Sequence, residues 1–332
     1  MDDSLPARRR GLAALRRWLA SPTGKRVQQA ISIGLSAIIL VILFRAVAAI
    51  GWRQIIAVVP TGPLFWLLFL GSYLLQPLTD WLIYRPWWGL DWRANAIFLK
   101  KRVMNEALFS YSGDTYLMVR ATGILGLPFD PAAPTAQLQG RGDGPGVDPR
   151  THPLAAVKDV AITSGLAGNL TTLLMLVLAL ALGGDAVLDA SIDPDVLRRI
   201  VIGFAIIVAL SVAILFFRGK VMSLSVRNNL RAFWWHLFRV LTAHALIVAT
   251  WVVALPAIPV STWVLLGALR MVIGRMPLPS KELLFAAITV SLAGPASVAV
   301  AALMAAQGAL YLLCHVLAWF AATAIEASGP GR

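Results

Sequence analysis

The sequence predicts an all-α polytopic membrane protein. It would be a helical bundle of six to seven spans with one or two re-entrant or broken helices. Three observations carry this. Hydrophobic residues make up 58% of the 332 residues and charged residues only 14%, whereas soluble domains carry about 25% charged residues. Mean hydropathy is +0.76. The apolar residues also fall into long runs near the roughly 20 residues that a membrane-crossing helix needs. A soluble enzyme, a disordered chain and a coiled coil are excluded by this composition.

The chain opens with a basic tail, residues 1–26, with seven Arg and Lys against Asp2 and Asp3. An apolar run follows from about 31 to 50. Ala46-Val47-Ala48 resembles a signal-peptide cleavage site, but the run is long for a signal core, so an uncleaved anchor is expected. Further apolar runs lie at about 63–84, 161–182, 199–217, 240–258 and 260–274. The region 283–326 is apolar but broken at Gly294-Pro295, so it reads as one span plus a half-helix or as two spans. Residues 27–326 thus form one transmembrane domain. Residues 126–158 inside it are rich in Gly and Pro and read as a loop. Residues 221–241 read either as an interfacial amphipathic helix or as the start of the next span.

Net charge is +13, and its placement gives orientation. The tail, the stretch after the second run, the 218–239 connection and residues 270–281 hold 20 of the 29 basic residues. Basic flanks mark the cytoplasmic side. The 183–197 connection carries Asp185, Asp189, Asp193 and Asp195 and is expected outside, although Arg198 follows closely. The N-terminus is then cytoplasmic, in a bacterial inner membrane. Residues 94–125 must return to the side they came from, so a re-entrant helix pair or an interfacial helix is expected there. Nucleic-acid binding is excluded, because the bases are spread over membrane-flanking turns.

Polar groups inside apolar segments are the default functional candidates. One cluster runs from Glu106 through Gly113 and Asp114 to Arg120. Gly113 lets the backbone bend or approach a ligand closely, Asp114 suits a helix start, and Arg120 suits a phosphate clamp. The alternative is an internally paired amphipathic helix. A second cluster runs from Arg275 through Pro277, Pro279 and Lys281 to Glu282. Two prolines break a helix there, either to line a cavity or to make a plain turn. Paired broken segments in the two halves are compatible with inverted repeats. Secondary candidates are Asp80, Arg85 and Asp159. A local Asp80–Arg85 pair is expected, and Asp159 marks the start of a span. No metal-ligand spacing, nucleotide loop or other cofactor motif is present, and the one cysteine, Cys314, forms no internal disulfide.

The arrangement resembles the transmembrane region of lysylphosphatidylglycerol synthases and their stand-alone, flippase-like relatives. Trp81 through Trp88 with Arg85, Ser112-Gly113-Asp114 through Arg120-Ala121, and Pro277-Leu278-Pro279 through Glu282 carry the resemblance. This chain has Tyr111-Ser112 where the family usually has Pro-Gly, and it lacks the family's glycines before Glu282. The resemblance implies transport or binding of a lipid with an anionic or phosphorylated headgroup, or of a lipid-linked sugar. It does not imply aminoacylation, since no soluble transferase domain accompanies it. Two other classes stay open on the residues alone. One is a membrane-embedded lipid-modifying enzyme using Asp80, Glu106, Asp114 or Asp159. The other is a non-catalytic partner subunit of an envelope-synthesis complex. A homo-oligomer is equally compatible.

Overall fold

The computed structural model describes residues 34, 41, 59–108, 111–127, 147–188, 194–275 and 297–328. The basic tail, most of the first apolar run, most of the Gly/Pro-rich loop and the segment with Pro277, Pro279, Lys281, Glu282 and Gly294-Pro295 lie outside the described residues.

Helix α1 (Pro63–Trp88) starts on proline, whose missing N–H costs nothing in a first turn. It ends at Gly89, whose φ of 62° is the left-handed conformation that closes helices; the Gly89 N–H donates to the Arg85 carbonyl at 2.9 Å. A 3₁₀ turn (Trp92–Ala94), capped by Asp91, leads into α2 (Asn95–Ala107). Helix α3 (Ser112–Ile124) follows. Helices α2 and α3 have 13 residues each, so each is about 20 Å long. That is short of the roughly 30 Å hydrocarbon core, and neither crosses alone.

The second half comprises α4 (Pro153–Leu188), α5 (Pro194–Phe216), the short α6 (Arg218–Val221), α7 (Val226–Ala254), α8 (Val260–Arg275) and α9 (Ser297–Ala327). Among the described residues there is no strand, only a single bridge between Val147 and Leu224. Among the described residues, three helices are long and apolar enough to cross a membrane: Pro153–Ala179, Val226–Ala254 and Val298–Ala327. Their outward faces suit lipid. Leu174, Val177, Trp234 and Phe320 all stand exposed.

The structure bears on three readings of the sequence. Residues 221–241 and 240–258 do not form separate units; α7 runs unbroken from Ser225, whose hydroxyl caps the Asn228 N–H. The stretch 126–158 is not loop to its end, because α4 begins at Pro153. From Ser297 onward the last region is a single helix of 31 residues.

Helix α7 packs against α1, α4 and α8, and α4 also packs against α8. Two apolar clusters result. Ile83, Tyr84, Phe98, Leu117, Val157 and Leu224 unite α1, α2, α3, α4 and the start of α7. Trp251, Trp263, Leu266, Ile273, Val300 and Leu303 unite α7, α8 and α9. The α2–α3 pair is held by a close backbone approach. A Cβ at Gly113 would collide with the Lys101 carbonyl, so only glycine fits. The Gly113 N–H donates to Asn105 Oδ1 at 2.7 Å. Gly113 therefore serves helix–helix contact.

Candidate functional site

A polar cavity of about 260 Å³ opens between α1, α2, α3, α4, α7 and α8. Five charged side chains line it: Asp80, Lys101, Asp114, Arg239 and Arg275. Asp80, only 1% exposed, sits at its floor. It accepts from Lys101 Nζ at 2.8 Å and from Arg239 Nη1 at 3.3 Å. Lys101 also reaches Asp114 Oδ1 at 3.2 Å, and Asn105 donates to the other Asp114 oxygen at 3.2 Å. Arg239 donates further to Ser164 Oγ at 2.8 Å. Burial disfavours the Lys101 charge, but Asp80 and Asp114 outweigh it and raise its pKa above the ordinary lysine value.

Arg275 is different. It lies at the C-terminal end of α8, and its guanidinium rests so closely over Gly168 of α4 that no Cβ fits there. Among the described residues no carboxylate lies within ion-pairing distance of it. The cavity thus holds three cations and two carboxylates. Both carboxylates are engaged by Lys101 or Arg239, so among the described residues Arg275 is the cation in the cavity without a carboxylate, and a guanidinium suits an anion.

A second compartment adjoins this cavity. It is an apolar groove of about 430 Å³ between α3, α4 and α5. Tyr111, Asp114, Ala161 and Gly165 line both spaces. Tyr111, with φ of 71°, is the only non-glycine residue with positive φ among the described residues. That conformation costs a non-glycine residue about 1–2 kcal/mol, and such strain concentrates at functional sites.

Of the residues singled out in the sequence, Asp80 and Asp114 meet in the cavity, with Gly113 beside them. Of the others, Pro277, Pro279, Lys281 and Glu282 lie outside the described residues, and Arg85, Glu106, Arg120 and Asp159 do not line the cavity. Asp80 does not pair with Arg85, whose guanidinium stacks over the Trp81 ring at 4.8 Å. Glu106 faces away from the cavity. It binds Arg102 Nε at 3.0 Å and His315 Nε2 at 2.9 Å, and His315 Nδ1 in turn meets the Tyr73 hydroxyl at 2.8 Å. Burial opposes the Glu106 charge, but Arg102 and His315 together hold its carboxyl down at about 2. Arg120 meets Glu326 at 3.4 Å, and Glu326 also takes Lys100 at 2.5 Å. Arg120 is therefore not brought to Asp114. Asp159 is fully buried and accepts the Ser223 and Leu224 N–H groups at 2.8 and 2.7 Å, fixing the start of α7 to α4.

Sequence reading missed Arg239, Asn105 and Tyr111 as site residues, and took Arg275 only as the first residue of the Pro-rich cluster. Arg239 carried the available signal, since it directly precedes the apolar run 240–258 and an ionisable group at a span is a functional candidate. Among the described residues no cluster of three or more His, Cys, Asp or Glu is placed to hold a metal ion. No protein-family model, curated protein or solved structure matches the chain.

Proposed function

We propose that the chain binds and transports, in flippase-like fashion, a lipid with an anionic or phosphorylated headgroup, a lipid-linked sugar included. One observation carries this reading: Arg275, which has no carboxylate partner among the described residues, lines a polar cavity together with Lys101 and Arg239. A planar guanidinium suits phosphate oxygens. Two of the helices suited to a membrane, α4 and α7, line the cavity, so the anion arrives from a bilayer. The resemblance to the flippase-like relatives of lysylphosphatidylglycerol synthases agrees with this reading.

The reading brings a topology with it. The tail lies on the cytoplasmic side of a bacterial inner membrane, the bundle has six to seven spans, and α2–α3 is a re-entrant pair that returns to the side it left. The polar cavity is then fed from the leaflet that the pair enters.

Transbilayer movement in proteoliposomes tests the proposal. Wild type, Arg275→Gln and Asp114→Asn are compared with phosphatidic acid, phosphatidylglycerol and a net-neutral control lipid. Movement of the anionic lipids by wild type, reduced at least tenfold in both variants, is the expected result. Movement that ignores headgroup charge and both substitutions sinks the assignment.

A further inference from the structure

We infer that the polar cavity and the adjoining apolar groove are two halves of one site, which takes a phosphate-bearing lipid with its phosphate at Arg275 and one hydrocarbon chain in the groove. This rests on the functional reading above and names how the ligand lies.

The two compartments share four wall residues, Tyr111, Asp114, Ala161 and Gly165, so a molecule in one touches the boundary of the other. Their chemistry shifts across that boundary. The polar side is lined by Lys101, Arg239 and Arg275. The other side is mainly apolar, with Met118 from α3, Ile162 and Leu166 from α4 and Ile214 from α5, although Thr115, Lys158 and Asn169 also line it. A free phosphate would leave the apolar half without an occupant of its own chemistry. A hydrocarbon without charge would leave Arg275 unanswered. An amphiphile with its phosphate next to its chain matches both, and phosphoglycerides and polyprenyl phosphates have that form.

The boundary is built for close passage. Gly165 lies on the α4 face between the halves, and a Cβ there meets nothing within 4 Å. The space beside it is open. Gly168, one turn on, is the opposite case, filled by Arg275. Tyr111 lines both spaces as Gly165 does, held in its left-handed conformation and 67% exposed. Its ring is placed to border the lipid where head and chain join.

The test uses full-length protein in phosphatidylcholine nanodiscs containing phosphatidic acid with a diazirine on one acyl chain. Photolabelling is expected on Met118, Ile162, Leu166 or Ile214, competed by unlabelled phosphatidic acid. Arg275→Gln is expected to cut that labelling at least tenfold by loosening the phosphate. Gly165→Leu is expected to do the same by filling the boundary, and an unchanged melting temperature shows that it folds. Labelling confined to outward residues such as Leu174 and Val177 overturns the proposal. So does groove labelling that survives Gly165→Leu.

Two further arms separate its failure from that of the functional reading. Equal groove labelling by a diacylglycerol carrying the same diazirine chain, untouched by Arg275→Gln, shows that no anion is read and defeats both. Inorganic phosphate that binds by calorimetry, is lost in Arg275→Gln and leaves the chain label in place keeps an anion site but overturns the joined one. Displacement of the chain label by inorganic phosphate supports it.

Discussion

Lys101 holds Asp80 at 2.8 Å inside the bundle, where both side chains are almost wholly buried. This pair ties α2 to α1, and Arg239 adds α7 through the second Asp80 oxygen. Removing one member leaves a buried charge without its partner, which costs about 3–5 kcal/mol. Asp80→Asn and Lys101→Met should each lower the thermal midpoint of detergent-solubilised protein sharply. The double variant should lose less than the two single losses added together. Additive losses would show that the two groups do not interact.

Two glycines in similar helices should behave oppositely. Gly113→Ala drives a methyl into the Lys101 carbonyl, so α3 must shift away from α2. Overpacking of this kind costs about 1–3 kcal/mol. Gly165→Ala meets open space and removes a flexible residue from a helix interior, a gain of up to about 1 kcal/mol. Melting of the two variants under one condition decides it, and equal midpoints would contradict the packing described.

The helices themselves were legible because apolar length is a local property. The run expected from about 63 starts at Pro63 in the structure, whereas Pro153, placed in the loop by the composition around it, opens α4. The site was only half legible, because helical rotation and tertiary choice decide which charge faces which. Lys100, Lys101 and Arg102 counted as one basic flank, yet successive residues turn by about 100°. They go respectively to Glu326, to Asp80 and Asp114, and to Glu106. Arg85 follows Asp80 by five residues, about 140° around the helix, so the local pair gave way to Lys101. Arg275 drew notice only as part of a Pro-rich cluster. Its position over Gly168 depends on α8 crossing α4, and no sequence spacing shows that.

The Glu106 carboxyl, held at about 2 against an ordinary 4.5, sets an acid limb. A depressed carboxylate contributes stability above its unfolded value and loses it as pH falls through the folded one. Stability should therefore fall between about pH 4.5 and 2, as Glu106 releases Arg102 and His315. Glu106→Gln should flatten that part of the profile while lowering stability at neutral pH. Melting against pH for the two proteins checks this, and parallel profiles would falsify the assignment.

Arg120 offers a contrast within the same helix pair. It is 42% exposed and meets Glu326 at 3.4 Å. Exposed ion pairs contribute about 0–1 kcal/mol, and Glu326 keeps Lys100 when Arg120 is removed. Arg120→Ala should move the thermal midpoint far less than Asp80→Asn. A comparable loss would mean that Arg120 has a buried role that its exposure denies.

Asp159 makes the sharpest local prediction. Its Oδ2 accepts two backbone N–H groups, from Ser223 and Leu224, and the Asn229 amide lies 3.4 Å away. It is fully buried, so truncation strands those donors away from water. A buried donor without a partner costs about 1–3 kcal/mol, more when the lost acceptor was charged. Asp159→Ala should lower overall stability by at least that much. It should also act locally first: amide exchange at Ser223 and Leu224 should speed up before the centre of α7 is affected, since the α7 core is held separately by Trp251 packing on Trp263. Uniform acceleration along α7 would show that Asp159 supports the whole helix and does not clamp its start. No acceleration at 223 and 224 would show that water or another acceptor replaces the carboxylate without cost.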